Sequence, residues 1–322
     1  MNNRCLYCYE PLTKGETDYH PKCSRKFFGL TNAPELPYSR DNISDLALQV
    51  IQSSTSITGA QAKISLDLNR GGKFHKNKLT IVGLWGKYIL KPQSESYHFM
   101  PELEDLTMKM ADAAKIKTVP HSLIRMSDGE LAYITRREDR DDDGYKFSML
   151  DMCQLSNRLT EHKYRGSYIQ LADTIRTYSS AKTLDVQRFW EIVIFSWITG
   201  NNDMHCKNFS LINKKDGKGY TLSPAYDLLS VILTGIDDHD ELAMTLTGDG
   251  VNDDQHIGGY NKESFIEAMN MSNIGTKPAN YIIKRLISHL DKWISLINNS
   301  FLDDRTKKEY IELIDSRIGK LI

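Results

Sequence analysis

No stretch of this chain holds 18 uninterrupted apolar residues, and its start, MNNRC, has no basic segment followed by an apolar one. Neither a membrane-spanning helix nor a secretory leader is expected, and the expected location is cytoplasmic. An excess of one charge is also missing. With 41 basic against 42 acidic residues the net charge is -1, so the molecule lacks the electrostatic footprint of a stand-alone nucleic-acid binder. Cysteine is scarce at five residues, and three of them fall within the first 23 positions, a distribution unsuited to a disulfide framework. Glycine is short in one segment, SSTSITGAQAK, where Gly59 alone supplies backbone freedom among hydroxyls.

A chain of 322 residues with 40% hydrophobic content suits one large or two medium globular domains. Its early cysteines fall into a pattern: Cys5, Cys8, His20 and Cys23 read C-x2-C-x11-H-x2-C. Two ligand pairs on tight turns, separated by a loop, can close a tetrahedron around zinc. All four ligands come from protein, so the expectation is a structural zinc site. Free structural thiols beside a coincidental histidine are the alternative. Cys153 and Cys206 read as ordinary buried thiols.

Pro34 and Pro37 mark a linker, and a helical stripe follows over 41–52. The hydroxyl-rich segment then leads into a strand over 63–68, a second over 79–82 and a third over 87–90 that ends in Lys91. A helix is expected over 102–114, opened by Pro101, with Leu103, Leu106 and Met110 on its core side and Glu104 turned to the sheet as a partner for Lys91. HSLIRM and LAYITR make a hairpin, and RREDRDDDG reads as a hinge. From Ser148 on the periodicity is helical, over 149–155, 168–178 and 186–198, and a stripe over 281–301 reads as one long core helix.

The chemistry concentrates in residues 195–230. An apolar run stops at Gly200, a polar knot spans 201–208, and a strand-like segment over 209–212 turns back through 220–225 to Asp227. Asp203 and Asn208 have the D-x4-N spacing of a kinase catalytic loop. Phosphoryl transfer needs one carboxylate to accept the proton of an attacking hydroxyl, and an amide with a second carboxylate to hold Mg²⁺ on ATP phosphates. An Asp/Asn-rich surface turn is the plainer reading of the same residues.

Taken together, SITGAQAK, YILKP, the Asp139-Arg140 pair, LDMCQLS, GNNDMHCKNFSLI and SPAYDLLS resemble the HipA-type serine/threonine kinases, toxins of bacterial toxin-antitoxin pairs, and in particular their short HipT-like branch. The resemblance implies an α+β, two-lobed, protein-kinase-like fold with a β-rich N-lobe and a helical C-lobe, here behind a small zinc module. The implied divisions are 1–30, 31–140 and 141–322. It implies that Asp203 is the catalytic base, that Asn208 and Asp227 hold Mg²⁺, and that Lys91, fixed by Glu104, contacts ATP phosphates. Ser56, Thr58, Gly59, Gln61 and Lys63 of the loop, Arg136, Arg137 and Glu138 at the hinge, and His205 and Lys207 are further candidate nucleotide contacts. Ser56 or Thr58 would be autophosphorylated.

The substrate implied is a protein, a translation component such as an aminoacyl-tRNA synthetase. Family toxins carry an extra N-terminal subdomain ahead of the hydroxyl-rich loop, so a small partner resembling it is expected, together with a HipB-like helix-turn-helix antitoxin through which DNA would be reached indirectly. Two other readings stay open: a small-molecule kinase of the aminoglycoside or lipid type, and a non-catalytic zinc-bearing co-repressor.

Overall fold

The structure is a computed structural model and describes residues 3–51, 63–72, 76–83, 86–141, 143–214, 216–235, 240–248 and 259–322. Two compact units divide the chain, the first formed by 1–106, 119–145 and 298–302, the second by 107–118, 146–297 and 303–322. Among the described residues no helix is long and apolar enough to cross a membrane.

The first unit is built on a five-stranded antiparallel sheet of order β2-β1-β3-β5-β4, with β1 at Ile64–Asn69, β2 at Lys78–Ile81, β3 at Tyr88–Pro92, β4 at His121–Arg125 and β5 at Leu131–Arg136. Tyr88 and Leu90, two apart on β3, are buried on one face, as the period of a strand requires. Helix α1, Pro21–Phe28, starts with proline in its first turn and ends on Gly29 at φ 72°, a left-handed position natural to glycine. Its Phe27 and Phe28 meet Tyr88 with ring centroids 6.0 and 6.1 Å apart, which fastens the cysteine-bearing segment to the sheet. Helix α2 is Arg40–Ile51 and helix α3 is Met100–Ala113. Leu103 and Leu106 of α3 are fully buried in this unit.

The second unit joins a three-stranded sheet, β6-β7-β8 (Ser148–Asp151, Ser210–Asn213, Thr221–Leu222), to helices α4 (Met152–Leu155), α5 (Tyr168–Tyr178), α6 (Lys182–Ile198), α7 (Lys262–Met271), α8 (Thr276–Ile287), α9 (Leu290–Asn299) and α10 (Asp304–Gly319). Helix α6 is its spine. Trp190, Val193, Ile194, Phe195, Trp197 and Ile198 are all fully buried there, and Trp293 stands edge-on to Phe195 at 5.6 Å. Burial on nearly every side explains why α6 reads as apolar rather than amphipathic.

Two expected helices differ. Residues 149–155 divide into β6 and the single turn α4, because Leu150 pairs with Leu211 of β7, and Asp151 then opens the turn by a capping box with Gln154. The stretch 281–301 is broken between α8 and α9. There the side chains of Ser288 and His289 both reach the Arg285 carbonyl, each at 2.7 Å, and compete with the helical ladder.

Candidate functional site

The polar knot begins where α6 stops. Thr199 caps the helix, Gly200 takes φ 72°, Asn201 N–H bonds the Ser196 carbonyl at 2.8 Å and Gly200 N–H reaches that of Trp197 at 3.3 Å. These two bonds make a Schellman turn. Glycine is required on two grounds: the left-handed backbone, and a Cβ there would lie 2.7 Å from Leu313 Cδ2. The turn delivers Asn201 into the interior, 1% exposed.

Asn201 then ties the site together. Its Oδ1 accepts from the Asp203 backbone N–H at 3.3 Å, and its Nδ2 donates to the Asp227 carbonyl at 3.4 Å. One amide so links the two aspartates expected from the sequence. Asp227 sits at φ 55°, a left-handed conformation that aspartate tolerates better than most residues, and it follows a segment beyond β8 pinned by the bond from Ala225 N–H to the Lys117 carbonyl. Asn208 ends a short 3-10 turn, Cys206–Asn208, and its Oδ1 accepts from His205 N–H at 3.1 Å. An amide oxygen has a second lone pair, so that bond leaves Asn208 able to ligate a cation.

Asp203 is half-buried and accepts a 2.6 Å bond from the Tyr164 hydroxyl. The His205 ring lies edge-on to Tyr164 at 5.1 Å, and its Nδ1 has no hydrogen-bond partner among the described residues. Burial pulls the His205 pKa down to about 4 against the opposing pull of Asp203, so the ring is neutral at physiological pH. Lys207 pairs with Asp151 at 2.8 Å. The Tyr226 hydroxyl donates to the Lys207 carbonyl at 3.0 Å and lies 2.6 Å from Ser210 Oγ, which locks the 3-10 turn to β7. Asn201, Tyr164 and Tyr226 were not singled out in the sequence. Only Asn201 carried a usable signal, directly after a glycine that ends a buried helix.

In the first unit, Lys91, the last residue but one of β3, has its Nζ 2.5 Å from Glu104 Oε1 and 5.4 Å from the Tyr133 ring centroid. Arg137 forks onto Asp139 through two 2.9 Å bonds, while Arg136 and Glu138 are half-buried at the end of β5. Lys63 is exposed. Ser56, Thr58, Gly59 and Gln61 lie outside the described residues.

Cys5, Cys8, His20 and Cys23 converge, with one donor atom from each within 4.8 Å of all the others. His20 Nε2 faces the Pro11 carbonyl at 3.0 Å, which assigns it the proton and leaves Nδ1, 3.4 Å from Cys8 Sγ, as the donor. A hydrogen bond from Cys8 lowers the Cys5 thiol and raises that of Cys8, so the pair favours shedding a proton from Cys5 first. Three sulfurs and one imidazole nitrogen at this spacing are compatible with tetrahedral zinc.

A "putative kinase" of Haemophilus influenzae is 28% identical over 71% of this chain and 68% of its own length, and "putative kinase Y4dM" of Sinorhizobium fredii is 34% identical over 55% of this chain and 45% of its own. The chain thus spans about two thirds of one relative and under half of the other. Among solved structures, the HipA, HipB and operator DNA complex of the Shewanella oneidensis toxin-antitoxin system superposes with TM-score 0.67 at 18% identity, over 86% of this chain and 70% of that one. The Helicobacter pylori proinflammatory kinase CtkA gives 0.55 at 15% identity, over 80% and 93%. Both share the fold of this chain, an N-terminal sheet unit with a helical C-terminal region. The pattern matched over residues 55–294 takes in both the Lys91 strand and the Asp203 loop, and by that match the chain belongs to the family of HipA-like C-terminal domains.

Proposed function

We propose that this protein is an ATP-dependent serine/threonine protein kinase of a toxin-antitoxin system. The observation that carries the reading is the Asn201 amide, which fixes the Asp203 and Asp227 backbones relative to each other beside Asn208. Such a set performs phosphoryl transfer as follows. A substrate hydroxyl attacks the γ-phosphorus, its proton passes to the Asp203 carboxylate, and the bond to the β-phosphate oxygen breaks as ADP leaves. Asn208 and Asp227 would hold Mg²⁺, which would offset the negative charge of the phosphates, and Lys91, kept in place by Glu104, would add a further positive charge for them. The Asp203 bond from Tyr164 orients the carboxylate and leaves its other oxygen for the proton.

On this reading 31–140 is the nucleotide-binding lobe, 141–322 the catalytic lobe, and 1–30 a structural zinc module. The substrate is a translation component, with an aminoacyl-tRNA synthetase the first candidate, and Ser56 or Thr58 is a self-phosphorylation site. A HipB-like antitoxin and a small partner resembling the family's N-terminal subdomain complete the system; the similar Shewanella structure is itself a complex with HipB and operator DNA.

The test is incubation of the purified protein with cell lysate and γ-labelled ATP in Mg²⁺, followed by identification of the labelled proteins. A labelled synthetase that is lost with Asp203→Asn supports the proposal. Label found only on a small molecule, or no Mg²⁺-dependent ATP binding at all, overturns it.

A further inference from the structure

The four-ligand cluster is wired to the helix that holds the lysine partner. Tyr9, directly after Cys8, adopts φ 65° and is 2% exposed. Its hydroxyl donates to Asp105 Oδ2 at 2.8 Å, and the other oxygen of that fully buried carboxylate faces His121 Nδ1 at 2.7 Å. Asp105 is the neighbour on α3 of Glu104, whose carboxylate sits on Lys91. Two further bonds fasten the same segment: Ser122 Oγ to the Leu6 carbonyl at 3.3 Å, and the Tyr19 hydroxyl to the Leu123 carbonyl. Leu6 lies between Cys5 and Cys8, and Tyr19 adjoins His20. These three tethers start within one residue of a metal-ligand candidate, and a fourth, from Arg125 Nε of β4 to Asp18 Oδ1 at 2.9 Å, starts two residues before His20.

We infer that zinc bound by Cys5, Cys8, His20 and Cys23 sets nucleotide affinity, by holding Tyr9 on Asp105 and so Glu104 against Lys91. The inference rests on the zinc and kinase readings above. Loss of the metal removes the bonds that would tie the Cys5 to Cys8 turn to His20 and Cys23. When the turn loosens, the Tyr9 hydroxyl leaves Asp105, and a buried carboxylate loses one of its donors in a medium that cannot replace it. The second turn of α3 then shifts to rehydrate Asp105. Glu104, next along the same turn, is drawn from Lys91. Oxidation of two ligand thiolates to a disulfide by hydrogen peroxide, which takes up their two electrons with two protons and leaves as two waters, would release the zinc and lower ATP binding without touching Asp203, Asn208 or Asp227.

The experiment uses the full chain purified with zinc present. Elemental analysis should find one zinc per chain. Removing the metal with a chelator should speed amide hydrogen exchange across 100–106 and weaken Mg²⁺-ATP binding about tenfold or more, both reversed by zinc. Tyr9→Phe should keep its zinc, show the same faster exchange and lose about tenfold in ATP affinity, and that loss should vanish in a Glu104→Gln background, where a merely destabilising change would remain additive. A wild-type chain free of zinc overturns the site. A zinc-loaded Tyr9→Phe with wild-type exchange and ATP affinity overturns the coupling alone. A zinc-loaded wild type that binds no ATP overturns the kinase reading instead, and exchange at 100–106 then still decides whether the metal governs α3.

Discussion

Lys91 Nζ lies 2.5 Å from Glu104 Oε1, with 6% and 1% of the two side chains exposed. A buried pair of this kind penalises the loss of one partner far more than the loss of both. Glu104→Ala alone should destabilise the fold by about 3–5 kcal/mol, since it takes a carboxylate away from a buried lysine. Lys91→Met with Glu104→Leu should recover most of that stability in urea unfolding yet bind ATP no better than the single variant. Full recovery of ATP binding in the double variant would remove Lys91 from the site.

Asp203 and Asp227 should fail differently. Asp203→Asn is expected to retain ATP and lose about 10²- to 10⁴-fold in transfer rate, the usual share of a positioned base. Asp227→Ala should instead weaken Mg²⁺-dependent ATP binding. Calorimetric titration beside a phosphate-transfer assay separates the two effects, and normal turnover in either variant contradicts the assignment.

Asn201 bonds the backbone of both aspartates, the proposed base and the proposed metal ligand. Asn201→Ala should cost about 1–3 kcal/mol in stability for each buried group left unpaired. Asn201→Asp keeps the acceptor for Asp203 N–H but sets an oxygen against the Asp227 carbonyl, so its activity should fall further than its melting temperature suggests. Equal activity of the wild type and Asn201→Asp would show that the amide does not organise the loop.

His205 predicts a pH dependence. Its folded pKa of about 4 lies below the usual 6.5, so the unfolded chain binds the extra proton between those values and stability falls as the pH drops through that window. Above 6.5 this contribution is complete. A shift of this size corresponds to at most about 3 kcal/mol. Denaturant titrations from pH 7 to 4 on the wild type and His205→Gln should show a shallower decline in the variant; parallel curves would assign the acid sensitivity elsewhere.

Ser56 and Thr58 supply a mass-based check. Incubation with Mg²⁺-ATP should add phosphate to the intact protein, and the Ser56→Ala, Thr58→Ala double variant should add none. Unchanged mass in an enzyme that labels other proteins would count against self-modification.

Local signals made some of this structure readable in advance. The β1, β3 and β5 segments announced themselves by alternation and their turns, and Leu103, Leu106 and Met110 gave the buried side of α3 because a 3.6-residue period leaves a stripe. C-x2-C with H-x2-C is a short-range pattern, and its convergence follows from tight turns. The failures came where distant pairing outweighs local preference. Residues 148–151 form a strand because β7 is there to pair with them, and nothing within that segment says so. The break at Ser288 depends on two side chains bonding one carbonyl, in a stretch without glycine or proline. Tyr164 reaches Asp203 across 39 positions of chain, a separation no motif spans.

Strand β3 sits between two antiparallel neighbours, with Leu90 opposite both Ile64 and Ile134, and Lys91 opposite Tyr133. Side chains alternate faces with a period of two, so moving β3 by one residue would carry Leu90 out of the core and turn Lys91 away from Glu104. Insertions and deletions are thereby sorted by parity. The connections around this strand can lengthen or shorten freely, whereas within it a one-residue change in length is disallowed and a two-residue change is the smallest that keeps its face. Length variation among family members should accordingly collect in the turns that flank this strand, even where every residue type within it has drifted.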